Sequence, residues 1–133
     1  MYEVRLNVLK DKVDKFIVTE STYSHSGKKK KLNFDISNYS KFKDKIIYIV
    51  IDREPEGIVD ENNDPFLQRS NSLKRISLSY DESLKALKDF SDEDLIMLSD
   101  NDEIPNLGSD QFNKSQKDII LFKQLFFYFK FNL

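Results

Sequence analysis

Three short apolar runs limit what this chain can fold into. Phe16-Ile17-Val18 ends at Thr19-Glu20, the run Ile46 to Ile51 ends at Asp52, and Leu95-Ile96-Met97-Leu98 ends at Ser99-Asp100. Each is β-branched-rich or continuous rather than alternating, as strands covered on both faces are. Segments with helical spacing lie between the second and the third. The expectation is an α/β fold: a mainly parallel sheet with flanking helices.

Tyr2 to Leu9 fits two periods. Tyr2, Val4, Leu6 and Val8 alternate, while Tyr2, Leu6, Leu9 and Val13 share one helix face. Helix is the preferred reading, since Glu3, Arg5 and Lys10 then occupy the remaining surface. A second helix is expected over Phe66 to Ile76, with Phe66, Leu73 and Ile76 as its stripe. A third is expected from about Tyr80 to Phe90, with Ser79 and Glu82 at capping-box spacing. Ser109 is placed to cap a short helix over Asp110 to Lys117. Ile119 to Phe131, almost unbroken in aromatic and aliphatic residues, reads as one or two strands.

Composition removes several functions. The 133 residues hold no Cys and one His, so thiol catalysis, Cys-based zinc and sites with two His ligands are excluded. A formal charge of -2 argues against a protein built to grip nucleic acid. No stretch approaches the roughly 18 apolar residues of a membrane span, and the amino end is charged, unlike a secretory leader. The expected location is cytoplasmic. The excess of Lys over Arg, with frequent Asn and Ile, hints at an AT-rich microbial or viral genome.

The runs end in carboxylates: Glu20, Asp52 and Asp100. In an open parallel sheet the carboxyl ends share one edge, where ligands bind. Acidic groups gathered there repel one another unless a cation or donors compensate. Each alone reads equally well as a strand-to-loop turn. The strongest stretch is Ser99-Asp100-Asn101-Asp102-Glu103-Ile104-Pro105. Asp100 and Asp102 flank one residue and can project to the same side, where two hard oxygens suit one Mg2+ or Mn2+ with positions left for a diphosphate. Glu103 beside them is the candidate catalytic carboxylate; as base, support for a metal ligand or cap of the turn, its role stays open. Gly27, in the polar loop from Ser21 to Leu32, permits close approach of backbone to a ligand. That loop also holds His25 and the run Lys28 to Lys31, which can meet phosphate or remain solvated. Gln68 and Arg69 open the second expected helix, where an Arg can clamp phosphate or carboxylate, or form a surface ion pair.

In succession, Val13 to Ser21, then His25-Ser26-Gly27-Lys28 and Lys30, then Leu32 and Phe34, then Ser99 to Pro105, resemble glycosyltransferase family 17. Glu3-Val4-Arg5-Leu6-Asn7 is similar to the helix leading into the first of these motifs. Animal members of that family are β-1,4-mannosyl-glycoprotein 4-β-N-acetylglucosaminyltransferases. The resemblance implies a GT-A-like nucleotide-sugar fold, with residues 1–133 forming one glycosyltransferase-like domain that is partial at both ends. It implies inverting transfer of a sugar from a UDP-sugar, UDP-GlcNAc, to a glycan acceptor. Asp100 and Asp102 would take the metal and diphosphate position, with a divalent cation, Mn2+ or Mg2+, as cofactor. Glu20, Ser21, His25, Gly27 and Lys30 would lie near the donor, and Gln68 and Arg69 resemble a Gln-Arg pair of bacterial-type members. Positions 29 and 31 are Lys where the family often has Pro. Two rival readings stand beside this one: a truncated, non-catalytic remnant or binding module of the same fold, and a different metal enzyme such as a phosphoryl hydrolase, for which further His or Asp ligands are scarce.

Overall fold

The computed structural model describes residues 1–108, 114–115 and 117–123. The expected Ser109 cap, and the tail beyond residue 123, lie outside the described residues. Two compact units divide the chain: Asp14–Leu95, and Met1–Val13 with Ile96–Leu133.

In the Asp14–Leu95 unit, strands β1 (Phe16–Ser21) and β2 (Ile46–Ile51) form a parallel pair with Phe16 opposite Ile46 and Ser21 opposite Ile51. The β-branched runs at 16–18 and 46–51 form these strands, as expected. Burial is confined to positions at or next to the strand ends, Phe16, Glu20, Ile46 and Ile51; the other strand residues are half-buried, except Val50, which is exposed. The connection between them carries a 3₁₀ segment, Ile36–Lys45, opened by Asp35, whose carboxylate accepts the Ser37 amide at 2.9 Å. Phe42 from this segment joins Phe16, Phe34, Ile46, Ile51 and Leu78 in the core. Phe34 stacks on Tyr39 at 5.1 Å and meets Tyr48 at 4.9 Å, ring centre to ring centre.

The two helices expected at 66–76 and 80–90 are one helix, α2 (Pro65–Lys85), followed by a 3₁₀ turn, Ala86–Asp89. Asp64 caps it, accepting the amides of Phe66 and Leu67, and Pro65 supplies a first-turn residue with no amide to satisfy. Ser79 does not start a new helix. Its hydroxyl donates to the Arg75 carbonyl at 3.3 Å, one turn back, and Glu82 accepts instead from Arg53 and Lys85. The expected stripe also shifts: Phe66 is 78% exposed, while Asn71 and Leu78 face the interior. Asn71 is fully buried because the loop before α2 satisfies it. Its amide accepts from Val59 N–H at 3.2 Å and donates to Val59 O at 2.8 Å and Glu61 Oε1 at 3.0 Å.

The third apolar run is not a strand. Leu95 to Leu98 has no regular structure, and Leu95 is 82% exposed. Leu and Met favour strands less than the Ile and Val of the other two runs. The residues before the run close on themselves, with Asp94 accepting the Ser91 amide and Ser91 Oγ accepting that of Glu93. The described sheet is therefore two-stranded.

In the other unit, α1 (Tyr2–Leu9) is the helix preferred over a strand. Leu6 and Leu9, three apart, are its buried residues, and full burial of each contributes about 2 kcal/mol. No helix among the described residues is long and apolar enough to cross a membrane.

Candidate functional site

Glu20 stands one residue before the end of β1 with its carboxylate surrounded by donors. Oε1 accepts from Lys30 Nζ at 2.7 Å and from the Asn33 amide at 2.7 Å. Oε2 accepts from the Phe34 amide at 2.9 Å and the Tyr48 hydroxyl at 3.1 Å. Burial pushes this carboxyl up, but the bonds from Lys30, Asn33, Phe34 and Tyr48 outweigh it and hold it below the ordinary glutamate range. Glu20 thus fixes the chain that follows the β1 loop.

That loop is closely tied. Lys30 N–H donates to Thr22 O at 2.7 Å, Ser24 N–H to Lys28 O at 2.8 Å and Gly27 N–H to Ser24 O at 2.9 Å. Ser21 Oγ accepts the Tyr23 amide at 3.0 Å, and Lys29 lies over the Tyr23 ring. Thr22 donates its hydroxyl to Asp52 Oδ1 at 2.6 Å, linking the ends of the two strands. Gly27 adopts φ +77°, a backbone region that favours glycine. A Cβ there would also stand 2.9 Å from Arg75 Cζ.

Arg75 was not singled out by the sequence. From the middle of α2 it grips Glu54 with two nitrogens, Nε to Oε2 at 2.8 Å and Nη2 to Oε1 at 3.1 Å, and donates Nη1 to the His25 carbonyl at 2.9 Å. One guanidinium thereby joins α2, the segment after β2 and the loop after β1. His25 is held through its carbonyl, leaving its ring exposed. Gln68 and Arg69 are exposed on the first turns of α2. A groove of about 530 Å³ in this unit is lined by Arg53, Pro55, Leu73, Lys74, Leu78 and Asp81, among others, and by none of the residues expected at the site. The groove marks the flank of α2 rather than the carboxyl ends of the strands.

Asp100, Asp102 and Glu103 fall in the other unit, on a tight turn. Glu103 N–H donates to Asp100 O at 3.1 Å, and Glu103 Oε2 accepts the Asp100 amide at 3.0 Å. Asp100 and Asp102 are exposed, and their carboxylates are free of hydrogen bonds among the described residues. Asn101 Oδ1, between them in sequence, is buried and has no hydrogen-bond partner among the described residues. The turn is gripped from α1 by Arg5. Nη1 donates to Asp100 O at 3.2 Å and to Glu103 O, and Nη2 to Ser99 Oγ at 2.6 Å. Burial lowers the Arg5 pKa and Glu103 pulls it back up, with a net fall. Arg5, expected on the open surface of α1, is in fact half-buried.

No group of three or more Asp, Glu or His side chains able to hold a metal ion occurs among the described residues. Two free carboxylates on one turn are nevertheless a donor set that suits a hard cation bound through one or two carboxylates, with water and phosphate oxygens completing its shell, as Mg2+ commonly is. They do not form a closed protein cage.

The model of glycosyltransferase family 17 matches residues 1–128, through both units. Comparison with curated proteins finds no match, and comparison with solved structures finds none.

Proposed function

The chain belongs to glycosyltransferase family 17, and on that premise we propose that it transfers N-acetylglucosamine from UDP-GlcNAc to a glycan hydroxyl, inverting the anomeric carbon, with Mn2+ or Mg2+ at the diphosphate. The match over residues 1–128 carries this reading, and a GT-A-like nucleotide-sugar fold is part of it. The acceptor oxygen bonds to the anomeric carbon as the bond to the diphosphate oxygen breaks. The diphosphate leaves with the electron pair, and the hydroxyl proton goes to a carboxylate base. When bound, the cation would stabilise the charge developing on the leaving diphosphate.

The chain's own residues divide this work. Asp100 and Asp102 offer free carboxylates to the cation. Ser21 ends β1, and His25 and Gly27 belong to the loop that follows it, on the usual side of a parallel sheet for a ligand. Gly27 brings backbone close, His25 presents an exposed ring, and Lys30 and Glu20 hold the loop by their mutual ion pair. Gln68 and Arg69 present exposed polar groups for phosphate or sugar. Glu103, the candidate base, spends its carboxylate on the Asp100 amide in this conformation. That supports its role in closing the turn over its role as base. Calorimetric titration with UDP tests the assignment: Mn2+ should strengthen binding, and Asp102→Ala should abolish the gain. Equal, metal-independent binding in both proteins would remove the metal from the proposal.

The second reading, a non-catalytic binding module of the same fold, draws on the exposed Leu95, Ile96 and Leu98. Release of UDP from UDP-GlcNAc in the presence of glycan acceptors separates it from the first.

A further inference from the structure

The turn that carries Asp100 and Asp102 follows no strand, so something other than a sheet must fix it. Its internal bonds join Asp100 to Glu103 in both directions, at 3.1 Å and 3.0 Å. These close the turn without anchoring it. The anchor comes from Arg5, whose guanidinium takes the carbonyls at both ends of the turn and the Ser99 hydroxyl just before it. All three acceptors lie 94 to 98 residues away in sequence. Arg5 itself is set by the burial of Leu6 and Leu9 on the same helix. A planar fork of donors can hold several acceptors in one geometry, which an ammonium on a flexible stem cannot. The fork also makes no hydrogen bond to the carboxylates: Arg5 bonds backbone oxygens and a hydroxyl, so those of Asp100 and Asp102 stay available.

We propose that Arg5 is the positioning residue of this turn, holding its backbone so that Asp100 and Asp102 present a preformed pair of oxygens to a divalent cation. This rests on the reading of those two carboxylates as cation ligands, and the test keeps the two claims apart. Free Mn2+ is titrated by its electron paramagnetic resonance signal, with UDP present, against the 133-residue chain and its Arg5→Met, Arg5→Lys and Asp102→Ala variants. Thermal melts are taken of each.

Asp102→Ala should lose Mn2+ binding. Arg5→Met should weaken it about tenfold, as loss of a group that orients metal ligands does, with metal-free UDP affinity unchanged. Arg5→Lys should fall between Arg5→Met and the parent chain. Amide exchange at Glu103 should quicken in both Arg5 variants, since the Glu103 to Asp100 bond loses its support. If Asp102→Ala loses Mn2+ while a folded Arg5→Met keeps the parent affinity, the positioning role is overturned and the metal assignment stands. If Asp102→Ala binds Mn2+ as the parent does, the metal assignment fails and takes this inference with it. Should Arg5→Met melt too early to titrate, Arg5→Lys decides, and parent affinity with unchanged Glu103 exchange overturns the proposal.

Discussion

Glu20 and the Asp100–Asp102 pair were alike in the sequence, each a carboxylate closing an apolar run, and the structure treats them in opposite ways. Glu20 accepts four hydrogen bonds and is 9% exposed. The carboxylates of the two aspartates accept none among the described residues and stand in solvent. A saturated carboxylate has little left to offer a ligand and organises the chain around it. A free one contributes little to the fold and is available for binding. Stability and binding should therefore respond to substitution in opposite patterns at the two places.

The largest effect is expected at Glu20. Glu20→Ala strands the Asn33 and Phe34 amides and should lower unfolding free energy by about 3 kcal/mol, read by urea denaturation. A loss below about 1 kcal/mol would break the contrast. Asn71→Leu should cost about 2 kcal/mol by the same reasoning, since Val59 and Glu61 lose their buried partner. Gly27→Ala combines a strained φ with collision against Arg75, and should cost about 1–2 kcal/mol. Asp102→Ala should leave stability within about 0.5 kcal/mol while removing Mn2+-supported UDP binding.

Acid sharpens the same contrast. The folded-state pKa of Glu20 is depressed. Its contribution to stability is thus fully present above the unfolded glutamate value of about 4.3, and it is lost as pH falls through the lowered folded value. Glu20→Gln should flatten the acid limb of stability against pH, and Asp102→Asn should not. An unchanged slope in Glu20→Gln would show that the four bonds do not persist in solution.

β1 and β2 were legible because Ile17, Val18 and the Ile- and Val-rich run at 46–51 carry their own preference for extended backbone. For α1 the spacing fitted strand and helix alike, and the placing of Glu3, Arg5 and Lys10 off the apolar face favoured the helix that forms. Leu95 to Leu98 misled because apolar continuity says nothing about whether a neighbouring strand exists to receive it. The break expected near Ser79 failed because a hydroxyl can turn back onto its own helix as readily as it can cap a new one. At the candidate site, local chemistry was enough to nominate the Asp-X-Asp pair and Gly27. It was not enough for the partners of Glu20 at positions 33, 34 and 48, or for the grips of Arg5 and Arg75. They are set by contacts across the fold, and an Arg on a helix face has the same local appearance whether it meets water or a carbonyl.

The arrangement of the two units also orders the chain in time. Asp14–Leu95 is continuous, whereas the other unit draws α1 from before it and the turn at 100–103 from after it. During synthesis from the amino end, the β1–β2 pair and α2 have all their residues in hand before Glu103 is made. α1 is the first of the described elements to be translated, yet the partners of its Arg5 are among the last of the described residues to arrive.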